Sequence, residues 1–304
     1  MWLDNASEVD ILFYEPYANV IADISQNPNY KPLTIGVFGV WGAGKSTLLK
    51  LIKQKIDEKA QKKEKTLCIN INAWMFEGYE DAKIALMESL LKVLNENKTF
   101  AKKVGEKIKQ LIKRIDYIKL GKNAVKKGLP YALGILTGNP LPIALNLSAD
   151  LAGSDNVVEK ISRFKDEYVK PPKDDSEIEN IRKFREEFEE MLEDVSEIDN
   201  LTVIIDDLDR CTPDRIIDTL EAIKLFLSVK KTTFIIAVDQ RIIEYAVKTK
   251  YKEIDGYEIS SDYIEKIIQL PIKIPELSPK DIENYLLLLV CQLHINSEDF
   301  AKLI

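Results

Sequence analysis

Leu33-Thr34-Ile35-Gly36-Val37-Phe38 runs directly into Gly39-Val40-Trp41-Gly42-Ala43-Gly44-Lys45-Ser46, and Thr47 to Ile56 follows with apolar residues at helical spacing. A short, β-branched, uniformly apolar run is how a buried parallel strand is written. The next eight residues match G-x-x-x-x-G-K-[ST], and they sit between a strand and a helix, the context that this motif requires. Glycines let the backbone fold its N–H groups around phosphate oxygens, and the helix behind them points its positive end at the same anion. The expected phosphate-binding residues are therefore Gly39, Gly42, Ala43, Gly44, Lys45, Ser46 and Thr47. Lys45 is expected to reach the β- and γ-phosphates, and Ser46 to hold Mg²⁺.

Working outward, Leu67 to Ile71, Leu201 to Ile205 and Thr233 to Val238 repeat the strand pattern, and Ile267 to Ile274 reads as a fifth strand. Strands separated by helical stretches predict an α/β fold with a parallel sheet and right-handed crossovers. Val203-Ile204-Ile205-Asp206-Asp207 ends a strand in two carboxylates. Asp206 is expected in the magnesium shell. Asp207 lies one residue on, across the strand tip, where a general base can polarise an attacking water. Asp209 and Arg210 read equally well as a surface ion pair. Asp239, at the end of the TFIIAV strand, is a candidate γ-phosphate contact or a simple loop aspartate. That strand runs into Ala237-Val238-Asp239-Gln240 rather than an N-K-x-D base-reading motif, so ATP is the expected nucleotide.

Composition narrows the chemistry. The 304 residues carry a formal net charge of −7, which argues against generic nucleic-acid binding by the whole chain. His294 is the only histidine, so a histidine pair, a Ser-His-Asp triad or a histidine-rich metal site is almost excluded. Cys68, Cys211 and Cys291 are too far apart for a C-x-x-C pattern, and no secretory signal opens the sequence, which together predict a reducing, cytoplasmic setting.

About 130 residues separate the second and third strands, far beyond a crossover length, so a segment is inserted there. From Ala101 to Gly128, Val104, Ile108, Leu111, Ile115 and Ile118 fall at helical period while nine Lys and one Arg face Glu106 and Asp116. Residues 128–149 carry no charge, but Gly138-Asn139-Pro140 and Pro142 break them, and neither half is long enough to cross a bilayer as a helix. Asp174 to Asp199 is acidic, with Ile178, Ile181, Phe184, Phe188, Met191, Leu192 and Val195 on one face. The organisation expected is an N-terminal core part at 1–100, a basic and apolar helical insertion at 101–172, a C-terminal core part at 173–277 and the start of a helical lid at 278–304. Residues 101–150 either contact an anionic membrane or a partner protein peripherally, or pack as a subdomain with their lysines against the acidic helix.

Four segments together resemble the KAP family of P-loop NTPases, in the division with an additional strand. They are Gly39 to Thr47, Asn72-Ala73-Trp74, Ile205-Asp206-Asp207-Leu208-Asp209-Arg210-Cys211, and Tyr263-Ile264-Glu265-Lys266-Ile267-Ile268-Gln269-Leu270-Pro271. The likeness spans about Val9 to Pro279. It implies a three-layer α/β/α core with sheet order 5-1-4-3-2. It also implies Mg-dependent ATP hydrolysis driving a conformational or assembly switch, assembly with copies of itself or a partner protein, and, among bacterial members, frequent links to phage exclusion. Members often carry membrane-spanning helices between the two nucleotide motifs, a pattern from which the short, broken apolar stretch departs. An ATP-binding scaffold with negligible turnover and a nucleic-acid-dependent motor are the alternatives. Trp41 and Trp74 match family positions and read first as packing residues.

Overall fold

Buried β-branched runs alternate with amphipathic helices along the chain, and the computed structural model, which describes residues 10, 12–62, 65–79, 81–127, 177–196, 198–251 and 257–294, follows that alternation. In chain order the elements are α1 (Glu15–Gln26), β1 (Leu33–Phe38), α2 (Lys45–Lys62), β2 (Thr66–Asn72), α3 (Ala82–Glu96), α4 (Lys98–Lys127), α5 (Glu177–Glu193), β3 (Asn200–Asp206), α6 (Pro213–Lys224), β4 (Thr232–Val238), α7 (Gln240–Lys250), α8 (Tyr257–Glu265), β5 (Leu270–Lys273) and α9 (Pro279–His294). The strands form one parallel sheet in the order β2-β3-β4-β1-β5. Read from its β5 edge, that order is 5-1-4-3-2.

Burial explains the order. Every residue of β4 is buried and β3 is buried up to Asp206, as expected of strands covered on both faces. β2 exposes Asn70, and β5 carries Pro271, a residue with no N–H to donate and hence suited to an edge. On one face of the sheet, Ala18, Ile21 and Ala22 of α1 and Leu48, Leu49, Ile52 and Ile56 of α2 pack on Ile35, Val37, Ile204, Ile235 and Ala237. That core fixes α2 behind β1 and so fixes the loop between them. Asp10 holds the start of α1, accepting from the backbone N–H of Tyr14 at 2.8 Å and of Glu15 at 2.7 Å.

Two sequence expectations change. The helix after the glycine loop begins at Lys45 rather than at Thr47. The fifth strand begins at Leu270 rather than at Ile267, because Ile267 and Ile268 donate backbone bonds to Ile264 and close the turn that ends α8. Both isoleucines are nonetheless buried. They satisfy an apolar pattern without being strand. Gln269 then joins the sheet through its side chain, accepting from the Thr34 N–H at 2.5 Å.

The chain divides into two compact units, one of Met1–Val93 with Leu192–Ile304 and one of Leu94–Met191. In the second, the stripe Val104, Ile108, Leu111, Ile115 and Ile118 of α4 is buried, as are Phe184, Phe188 and Met191 of α5. The Arg114 guanidinium on α4 pairs with both carboxylate oxygens of Glu187 on α5 and donates to Asn180 at 3.3 Å. The uncharged stretch at 128–149 lies outside the described residues. No helix among the described residues is long and apolar enough to cross a membrane.

Candidate functional site

Parallel strands gather their carboxyl ends along one side of the sheet, and ligands bind there because the following loops and helix N-termini converge on it. At the end of β1 the chain turns through Gly42, with φ +81°, and Gly44, with φ +73°. Gly44 has a second constraint besides its left-handed backbone. A Cβ at that position would lie 2.7 Å from the ring of Tyr14, so the loop is pressed onto that tyrosine. The Tyr14 hydroxyl donates to the Ala43 carbonyl at 2.7 Å. Burial pushes the Tyr14 phenol up to about 12, so it remains a donor at neutral pH.

Lys45 opens α2, where the first backbone N–H groups have no intrahelical acceptor and are free to face an anion. Its Nζ bends back over the loop, donating to the Gly39 carbonyl at 3.1 Å and the Val40 carbonyl at 3.2 Å. Asp209 completes its shell, with a carboxylate oxygen at 2.9 Å. Both side chains are about nine-tenths buried, at 9% and 11% exposure. Asp209 therefore faces the loop lysine, and the expected Asp209–Arg210 surface pair is replaced by two separate contacts. Arg210 turns the other way and pairs with Asp207 at 2.6 Å.

The two carboxylates at the end of β3 have different surroundings. Asp206 accepts from the Ser46 hydroxyl and from the Asp207 N–H, the latter at 2.8 Å. Desolvation nonetheless holds its carboxyl above the usual range, with the neighbouring charges of Asp207 and Asp209 adding to the rise. Asp207 adopts a left-handed backbone, φ 58°, a conformation that Asp tolerates better than most residues. One of its oxygens accepts from the Asn72 side-chain amide at 2.8 Å and the other from Arg210. A carboxylate has about four lone-pair sites, so each oxygen keeps one for a further donor.

Asp239 caps α7, accepting from the Arg241 N–H at 3.0 Å, and its two oxygens also receive the Arg241 guanidinium at 3.0 and 2.6 Å. The Arg241 bond holds the Asp239 carboxyl below its ordinary value. The geometry makes Asp239 the anchor of Arg241, a cation at the rim of the site that the sequence pattern did not single out. Nor did it single out Tyr14, which acts across 29 residues with no local signature. Trp41 and Trp74 are both exposed, at 77% and 55%: Trp41 lies in the turn after β1 and Trp74 in the 3-10 helix Ala73–Gly78 that follows β2.

Among the described residues no group of three or more His, Cys, Asp or Glu side chains is arranged to hold a metal by itself. A hydroxyl and one buried, under-compensated carboxylate are instead the donor set that a magnesium ion uses when phosphate oxygens and water supply the rest. Ser46 and Asp206 fit that role.

The family model for the KAP family P-loop domain matches residues 14–300. The chain belongs to that family. The phage T7 exclusion protein of Escherichia coli is 33% identical over 82 residues, covering 27% of this chain and 10% of that protein. An uncharacterized protein of Methanocaldococcus jannaschii is 29% identical over 178 residues, 55% of this chain and 87% of that protein. The match therefore spans about a tenth of the E. coli relative's length.

Proposed function

We propose that this KAP-family chain binds Mg·ATP at the loop Gly39–Thr47 and hydrolyses it, with turnover resetting a conformational or assembly switch. The observation that carries the reading is the convergence of Lys45, Ser46, Asp206 and Asp207 at the carboxyl ends of β1 and β3, joined by the Ser46–Asp206 hydrogen bond. Lys45 and the N–H groups of the loop would neutralise and align the phosphates. An ion held by Ser46 and Asp206 would add Lewis-acid stabilisation to the charge on the β- and γ-phosphates. Asp207, fixed by Asn72 and Arg210, accepts a proton as water oxygen bonds to the γ-phosphorus and the bridging oxygen departs with ADP. Phage defence as the setting is supported by the similarity to the phage T7 exclusion protein of E. coli over 82 residues.

Asp207→Asn is expected to keep Mg·ATP affinity while lowering turnover by about 10²-fold, with Lys45→Ala as the control that loses tight binding. Steady-state phosphate release, measured over a range of protein concentrations, checks this. Equal loss of binding and turnover in Asp207→Asn would make that residue structural. Negligible wild-type turnover at every concentration would favour the ATP-binding scaffold.

A further inference from the structure

Asn72 ends β2 opposite Asp206 and is half-buried there. Its side chain makes two contacts at once. The amide oxygen accepts from the Trp74 N–H at 2.9 Å, capping the 3-10 helix Ala73–Gly78, and the amide nitrogen donates to Asp207 at 2.8 Å. The first bond decides the second. A backbone N–H can only donate, so the atom facing it is the oxygen, and the NH₂ group is left to point at the carboxylate. Ser, Thr, Asp and Asn all serve as helix caps. Ionised Asp has no donor, and a hydroxyl has one atom for both tasks. Of the four, Asn alone puts an acceptor and a donor on separate atoms, so the cap by itself does not account for the residue.

The 3-10 helix is in turn laced to the chain that follows Asp207. The Ala73 carbonyl accepts from the Cys211 thiol at 3.5 Å, the Glu77 carboxylate from the Thr212 N–H at 3.3 Å, and the Tyr79 carbonyl from Arg215 at 2.5 Å. Ala73 and Phe76 seat its inner side and are buried. The other donor to Asp207 is Arg210, whose side chain is 45% exposed and reaches back from the same turn. Asn72 is therefore the contact that refers the carboxylate to a separate, seated element. A carboxylate held on both oxygens cannot turn about its last bond, so the lone pairs left over keep fixed directions.

We propose that Asn72 is a positioning residue through which the 3-10 helix Ala73–Gly78 aims the Asp207 carboxylate, so that turnover depends on the seating of that helix while nucleotide affinity does not. This rests on the hydrolysis reading above, in which Asp207 is the base, and adds the element that directs it. A reacting group misplaced by about 1 Å loses on the order of 10²-fold in rate, although the groups that bind the phosphates stay where they were.

The test measures Mg·ATP affinity by isothermal titration, and kcat from phosphate release, in Asn72→Ala, Asn72→Asp and Glu77→Ala, each alone and combined with Asp207→Asn. Asn72→Asp keeps the cap on Trp74 and sets a like charge against Asp207 in place of the donor. Both Asn72 variants are expected to lower kcat by about 10-fold or more, with the Kd of Asn72→Ala within about twofold of wild type. Glu77→Ala frees one tether of the helix and is expected to lower kcat by about threefold. In the Asp207→Asn background each change is expected to alter kcat by less than about twofold, because groups acting through one carboxylate are not additive. Wild-type kcat in Asn72→Asp overturns the proposal by reducing Asn72 to a cap. Equal losses with and without Asp207 also overturn it, by making Asn72 a support of the fold alone. Wild-type kcat in Glu77→Ala removes the helix from the control of Asp207. A wild-type chain that binds Mg·ATP without turning it over defeats the hydrolysis reading and this proposal together, whereas normal turnover with unaffected Asn72 variants defeats this proposal only.

Discussion

Lys45 is paired with Asp209, a carboxylate that competes with phosphate for the same cation. Asp209, at 2.9 Å and largely shielded from water, neutralises the cation that a β- or γ-phosphate would seek. Nucleotide binding must exchange one anion for another, so part of the attraction of Lys45 is offset. Removing the charge with Asp209→Asn is expected to lower the Kd for ATP by about 10-fold, equivalent to about 1.4 kcal/mol, while lowering the thermal stability of the nucleotide-free protein. Isothermal titration and thermal melts of the same variant measure both signs. Weaker ATP binding would show that Asp209 serves the bound state instead. Lys45, Ser46 and Asp206 were legible in the sequence because one local motif and one strand end carry their chemistry. The partnership of Lys45 with Asp209 was not, since it depends on how a turn after β3 folds back toward β1, and no spacing rule encodes that approach.

At the scale of elements, the phosphate loop is supported from below by the start of α1. Tyr14 touches the loop through a ring packed against Gly44 and a hydroxyl bonded to Ala43. Tyr14→Phe keeps the ring and removes only the hydrogen bond, so it is expected to cost about 1 kcal/mol of stability and to weaken ATP binding a few-fold. Denaturant melts and titrations check the pair of values. An unchanged ATP affinity with the stability loss intact would mean that the contact steadies α1 without shaping the loop. Four of the strands could be read to within a residue or so, because each is a buried β-branched run bounded by polar residues. The fifth was read as Ile267 to Ile274 but spans Leu270–Lys273, so the reading ran three residues too early and one too far. Ile267 and Ile268 bury themselves from a helical turn, and hydrophobicity alone does not distinguish a buried turn from a buried strand.

For the whole molecule, a net charge of −7 hides a basic α4 and an acidic α5, and both contribute to the unit Leu94–Met191. Charge patterning left open whether the lysine-rich helix faces outward to lipid or a partner, or inward to the acidic helix. The described part of the structure buries the apolar stripe of α4 and joins Arg114 to Glu187 and Asn180. Arg114 is 16% exposed and Glu187 38%, so this pair is better shielded than an ordinary surface salt bridge. Arg114→Ala strips a charge-assisted, two-toothed contact from Glu187 and a bond from Asn180, and is expected to destabilise that unit by about 1.5–3 kcal/mol. Lys45, Ser46, Asp206 and Asp207 of the proposed nucleotide site, and Asp209 beside them, all belong to the other unit. Effects at sites with no shared partners are nearly additive, so the Kd for ATP is expected to stay within about twofold of wild type. Hydrogen exchange followed by mass spectrometry locates the loss: protection should fall in peptides from α4 and α5 and persist in β1, β3 and β4. If protection falls equally in the sheet, the two units unfold as one and Arg114 supports the nucleotide core as well.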